Sequence, residues 1–157
     1  MATSAIVLDS KRKLAVVVAR LRRQGKKIVF TNGCYDILHP GHVALLKKAR
    51  ALGDVLILGL NSDASVRGLK GPSRPILKLR ERLAVLSAVR FIDFLVPFGE
   101  ATPARLISLI RPDVLVKGAD WSAGTIVGSD VAKKTVRFPL VKGLSTTALI
   151  ERIRHGA

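Results

Sequence analysis

The sequence predicts a single α/β domain with a doubly wound sheet of about five parallel strands, and its apolar patterning carries that reading. Runs such as Ile28-Val29-Phe30 and Val55-Leu56-Ile57-Leu58 show no polar alternation, as strands covered on both faces require. The segments between them repeat apolar residues at a helical period. Polar clusters follow most of the apolar runs, where an open parallel sheet binds its ligands.

Residues 1–8 read as a loose start. Asp9-Ser10 then offers an N-cap to a helix with Leu14, Val17, Val18 and Leu21 on one face, ended by Gly25. Its other face, with Arg12, Lys13, Arg20 and Arg23, reads as solvated, so residues 1–24 form a basic helix packed on a domain of residues 25–157. A short strand at Lys27–Thr31 precedes a helix from Val43 to Leu52 with Leu45, Leu46 and Ala49 inward, then a strand at Asp54–Leu60. Asn61-Ser62-Asp63 ends that strand, and Lys70-Gly71-Pro72-Ser73-Arg74-Pro75 is a loop by its prolines and glycine. A helix from about Lys78 to Val89 and a strand from Phe91 to Val96 follow. Thr102-Pro103 opens a helix through Leu106, Ile107 and Ile110 that Pro112 stops. Asp113–Lys117 is the next strand. After a loop from Gly118 to Gly128 and a short helical stretch comes a strand at Thr135–Phe138, and Ser145-Thr146-Thr147 caps a last helix through Ile150 and Ile153.

A chain of 157 residues has the length of one globular domain. The single Cys34 forms no internal disulfide and suits a reducing cytosol. No stretch approaches the roughly 20 apolar residues of a membrane span, so a soluble cytoplasmic protein without a membrane partner is expected. The net charge of +16, from 27 Lys+Arg against 11 Asp+Glu, points to a polyanionic substrate or partner. The basic residues are dispersed from Lys11 to Arg154, and 4% aromatics supply no platform for stacking bases, so nucleic acid is not expected among the partners. There is no G-x-x-x-x-G-K-[ST], no G-x-G-x-x-G opening the first helix, no G-x-S-x-G and no Cys/His metal spacing. No residue is therefore assigned as a metal ligand, and Cys34 reads as a small buried residue or a backbone contact.

What remains is a set of donors placed after strands: His39, His42, Lys70, Arg74, Arg82, Lys117 and the helix start at Ser145. Phosphoryl and nucleotidyl transfer ask for such an inventory, because charge accumulates on phosphate oxygens and the protein mainly positions and neutralises. His39 and His42 stand three apart across Gly41 at a strand-to-helix turn, where both rings face one pocket if His42 lies in the first helical turn. Lys70 reads equally as a solvated lysine, Arg82 as a partner of Glu81 or Glu100, and Ser145 as a plain N-cap.

Cys34-Tyr35-Asp36-Ile37-Leu38-His39-Pro40-Gly41-His42 resembles the H-x-G-H signature of the cytidylyltransferase-like nucleotidyltransferases, and Leu144-Ser145-Thr146-Thr147 resembles their second signature. Thr31-Asn32-Gly33-Cys34, Asn61-Ser62-Asp63, the run from Lys70 to Ile76, Ala101-Thr102-Pro103 and Leu115 to Trp121 are similar to the adenylyltransferases of ADP-heptose synthesis, over roughly residues 25–154. The resemblance implies a Rossmann-like fold and transfer of AMP from ATP, assisted by Mg2+, to D-glycero-β-D-manno-heptose 1-phosphate, here in a domain that stands alone. It implies that His39, His42 and Lys70 are catalytic. Nucleotide binding falls to Asn32, Gly33, Cys34, Tyr35, Asp36 and Gly41, with Lys117, Gly118 and Asp120, and with Ser145, Thr146 and Thr147. Substrate binding falls to Asn61, Arg74 and Arg82. Departures at Leu77, Ala101, Ala119 and Ala132-Lys133-Lys134-Thr135 bear on the sugar more than on the nucleotide. A cytidylyltransferase acting on glycerol 3-phosphate or another small phosphate shares both signatures, and the charge keeps a nucleic-acid-binding protein on this fold as a reading of another class. An exposed sheet edge in so small a domain makes a homodimer the expectation.

Overall fold

The computed structural model describes residues 4–118, 126–139 and 145–156. In chain order these form β1 (Ile6–Val7), α1 (Lys11–Arg23), β2 (Ile28–Gly33), α2 (Pro40–Arg50), β3 (Val55–Asn61), α3 (Asp63–Lys70), α4 (Leu79–Ser87), β4 (Phe94–Phe98), α5 (Ala104–Ile110), β5 (Val114–Gly118), β6 (Lys134–Phe138) and α6 (Thr146–His155). The strands make one sheet in the order β1-β4-β3-β2-β5-β6, and every pair is parallel.

Side chains alternate across this sheet into two cores. Phe30, Ile57 and Leu115 meet Leu14, Val18 and Leu21 of α1 and Leu106, Ile107 and Ile110 of α5. On the other face Val29, Leu56, Leu58 and Val116 meet Leu46 and Ala49 of α2 and Leu86 of α4. The apolar stripe expected on the first helix is the buried one, and Ser10 caps it by accepting from the Lys13 N–H at 3.2 Å. The connection through α5 carries the chain from β4 back across the sheet to β5, so the winding reverses between β2 and β5. A crevice opens there beyond the strand ends.

The sheet has six strands rather than about five. Ile6–Val7, read as a loose start, pairs with Phe94 and Leu95 as an edge strand, too short at two residues to show a period. Because β1 stops at Val7, Pro97 continues β4 with no donor demanded on that side. The second difference is α3, which occupies residues read as the approach to a loop. Ser62 caps it by accepting from the Ser65 N–H at 3.2 Å, but Val66 is its one buried apolar side chain and Leu69 is half exposed, so no apolar face betrays it. Among the described residues no helix is long and apolar enough to cross a membrane.

Candidate active site

Strand β2 ends at Asn32-Gly33 on the reversing side of the sheet, and the chain turns through Cys34–Leu38 into α2. The turn needs one unusual backbone and one close approach. Tyr35 sits in the left-handed region at φ 45°, and its ring lies so close to Gly33 that a Cβ there would stand 2.9 Å from Cε2. His39 is the extended N-cap of α2, and its carbonyl accepts from the N–H groups of His42 at 2.9 Å and Val43 at 3.3 Å. His42 thus falls in the first helical turn, and the two imidazoles stack with centroids 3.7 Å apart and planes 24° from parallel. Tyr35 closes the other side of His42 at 4.8 Å.

Both Nδ1 atoms are buried, and neither has a hydrogen-bond partner among the described residues. Burial lowers the pKa of His39. Burial, and then the nearby charge of His39, pushes His42 down to about 4 against an opposing pull from the Ile37 backbone. Two stacked rings cannot both be charged at low cost without an anion between or above them. The pair is therefore neutral near pH 7 in the free protein and gains from a polyanion.

Asp36 is 2% exposed and organises the facing loop. Its carboxylate accepts from the Arg74 Nε at 2.6 Å and from the N–H groups of Ile76 at 2.8 Å and Leu77 at 2.9 Å. Burial alone would raise its pKa; the Ile76 and Leu77 N–H groups and then Arg74 outweigh that and hold it below the usual range. With Nε so occupied, the terminal nitrogens of Arg74 are left for a ligand. Lys70 is the exposed last residue of α3, before Gly71 at φ 95°. Burial raises the Cys34 thiol pKa, while the charges of Lys70, Arg82 and Arg74 act against it.

Arg82, expected to bind substrate, is tied into the protein itself. It is 1% exposed, donating to the carbonyls of Leu77 at 3.1 Å, Cys34 at 2.7 Å and Asn61 at 2.8 Å and to the Asp63 carboxylate at 2.7 Å. Neither Glu81 nor Glu100 is its partner. It ties the first turn, the end of β3 and the loop before α4 together. Asn61 is buried as well, donating to the Ser65 hydroxyl at 2.9 Å. Asp63 had no local signal, because its role depends on an arginine 19 residues away.

Across the reversal point, the buried Lys117 of β5 hydrogen-bonds to the Asn32 side chain of β2. Gly118 ends β5, half-buried. Asp120, with its neighbours Ala119 and Trp121, lies outside the described residues. Ser145 caps α6 by accepting from the Ala148 N–H at 3.0 Å, and the Thr146 hydroxyl reaches the Ile37 carbonyl at 3.5 Å, so the second turn docks on the first. Thr147 is exposed, and Gly41 is the second residue of α2. Among the described residues no group of three or more His, Cys, Asp or Glu stands together to hold a metal ion. The Asp36 carboxylate is already engaged by Arg74 and two N–H groups, so these residues do not fit a resident metal. Any Mg2+ would arrive with a nucleotide, held mainly by its phosphates and water.

The fold and these two turns define a nucleotidyltransferase-type α/β domain. The description "Cytidylyltransferase-like" fits residues 30–152, and the chain belongs to that family. Two curated relatives share the name "Bifunctional protein HldE". The one from Syntrophotalea carbinolica is 52% identical over 161 positions, spanning 98% of this chain and 33% of that protein. The one from Campylobacter curvus is 53% identical over 148 positions, spanning 93% and 32%. The chain thus spans about a third of the length of these relatives. Among solved structures, the lipopolysaccharide core biosynthesis protein from Thermoplasma volcanium superposes with a TM-score of 0.66 at 27% identity, over 75% of this chain and all of that one. Pantoate-beta-alanine ligase from Francisella tularensis gives 0.68 at 16% identity over 95% of this chain and 73% of its own, a likeness of fold alone.

Proposed function

We propose that the chain transfers AMP from ATP, as its Mg2+ complex, to D-glycero-β-D-manno-heptose 1-phosphate, giving ADP-heptose and pyrophosphate. The observation that carries this reading is the stacked pair His39 and His42 at the start of α2, whose buried Nδ1 atoms have no hydrogen-bond partner among the described residues. The half-identical relatives named HldE, and the lipopolysaccharide core biosynthesis protein among the solved structures, support the choice of substrate. An oxygen of the sugar phosphate attacks the α-phosphorus, the bond to the α–β bridging oxygen breaks, and that oxygen leaves with pyrophosphate. His39 and His42 donate to the phosphate oxygens that gain charge, aided by the α2 N–H groups. Arg74 offers its free guanidinium edge to a phosphate, and Lys70 reaches in from the end of α3. Lys117 with Asn32, and the Ser145–Thr147 turn, form the nucleotide side.

Pyrophosphate release across a panel of ATP, CTP, GTP and UTP with heptose 1-phosphate and glycerol 3-phosphate tests the assignment. ATP with the heptose phosphate should give the highest kcat/KM; strong preference for CTP and glycerol 3-phosphate would replace it with the cytidylyltransferase reading. We also infer a cytoplasmic homodimer. The exposed edge residues Ile6 and Val7 on β1 support the dimer, and sedimentation showing only monomer at micromolar concentration would refute it.

A further inference from the structure

Spread along the sequence, the basic residues are gathered by the fold. In a parallel sheet each helix returns the chain to the same edge, so every entry into a strand lies at the end opposite His39 and His42. Three of these entries carry exposed lysine doublets: Lys26-Lys27 before β2, Lys47-Lys48 in the last turn of α2 before β3, and Lys133-Lys134 at the start of β6. Exposed Arg23, Arg90 and Arg111 stand at the entries to β2, β4 and β5.

Lateral bonds hold the entries side by side. The N–H of Asp54 donates to the Lys27 carbonyl at 2.9 Å, that of Asp113 to Ile28 at 2.9 Å, that of Lys134 to Asp113 at 3.1 Å, and that of Asp93 to Leu56 at 3.1 Å. At roughly 4.8 Å between neighbouring strands, the row from β4 to β6 is about 20 Å long. The acids of this edge offset it only in part. Asp93 is paired with Arg50, and Asp113 with Arg22 and Lys133, while Asp54 accepts from the Lys27 N–H; Asp130 is exposed beside β6. Of the doublets and the three arginines, only Lys133 is in an ion pair among the described residues.

We propose that this edge docks the phosphate backbone of double-stranded nucleic acid, at a surface separate from the nucleotide site. Among the described residues no aromatic side chain is exposed, so they provide neither a platform for stacking single-stranded bases nor an aromatic anchor in a membrane interface. Point charges on flexible stems suit closely spaced phosphates, and a duplex offers one about every 1.7 Å of its axis. Contact of this kind is independent of sequence and leaves the opposite edge open to nucleotide.

The test is fluorescence anisotropy of the full chain with a labelled duplex between 50 and 200 mM salt, beside pyrophosphate release. Micromolar affinity at low salt is expected, with a steep decline as salt rises. The triple variant Lys27→Gln/Lys47→Gln/Lys48→Gln should weaken binding at least tenfold and flatten the log–log salt slope by roughly 2 to 3. Turnover should not change. The charge-matched control Arg12→Gln/Arg80→Gln/Arg105→Gln, at helix starts on the other edge, should bind nearly as the parent does. Equal loss in both triples would reduce the effect to net charge and overturn the proposal. So would no binding at 50 mM salt, or capture by phosphatidylserine vesicles without binding to duplex.

Discussion

The two edges of the sheet use charge in opposite ways. Where the strands begin, carboxylates are spent on backbone: Asp54, Asp93 and Asp113 accept the N–H groups of Lys27, Leu56 and Ile28 at 2.8, 2.7 and 2.8 Å. Each closes a strand entry to which the neighbouring strand gives no partner. Where the strands end, the carboxylates of Asp36 and Asp63 hold Arg74 and Arg82, Asp36 together with the Ile76 and Leu77 N–H groups, and so shape loops, while the buried Nδ1 atoms of His39 and His42 have no hydrogen-bond partner among the described residues. At the first edge the backbone donors are satisfied as folded, while the lysine doublets stay exposed. The second is completed by an anionic ligand.

The largest effect that separates the edges should be on turnover. His39→Ala or His42→Ala removes a donor from the reacting phosphates, and pyrophosphate release should fall on the order of 10²–10³-fold with little change in urea midpoint. Loss of turnover accompanied by a comparable loss of stability would mean that the pair is structural and the comparison wrong.

The next effects are on stability and sharpen the contrast. Arg82→Met strands three carbonyls and the Asp63 carboxylate, and should cost about 3 kcal/mol in urea unfolding, with Arg82→Lys rescuing little because an ammonium cannot span the four acceptors. At the other edge, burial acts to raise the Asp113 pKa, but Lys133, the Ile28 N–H and Arg22 together hold it at about 2 against a normal 3.8. That difference is worth about 2 kcal/mol, present above pH 3.8 and lost as pH falls toward 2. Asp113→Asn should remove most of it at neutral pH while leaving KM for nucleotide unchanged, whereas a shifted KM would show that the two edges are coupled.

How much of this was legible in the sequence depends on how local each feature is. The stacking of His39 and His42 follows from a three-residue spacing across an N-cap, and the caps at Ser10 and Ser145 from their side chains, so residue order alone points to them. The alternation of Phe30 and Val29 into opposite cores is equally local. Arg82 is different: its carbonyl partners come from three separated segments, and nothing near position 82 announces a buried hub. Strand β1 was hidden by its length and α3 by its lack of an apolar stripe. The basic edge escaped because dispersion along a chain reads as dispersion in space, and only the parallel topology shows otherwise.

The smallest effect is a proton count, and it bears on whether the histidine edge waits for an anion. A histidine held at about 4 in the folded state and near 6.5 unfolded contributes stability that is complete above pH 6.5 and lost as pH falls toward 4. For His42 alone the slope in that window stays below about 1.4 kcal/mol per pH unit. A triphosphate beside the ring favours the charged form and reverses the shift, so ATP should bind at pH 6 with uptake of up to about one proton. Titration calorimetry in buffers of different ionisation enthalpy reads that number directly, and His42→Gln should lower it. Zero uptake at pH 6 by an active enzyme would mean that the imidazoles stay neutral and donate only as N–H groups, and the edge would then owe its anion affinity to Lys70, Arg74 and the α2 N–H groups.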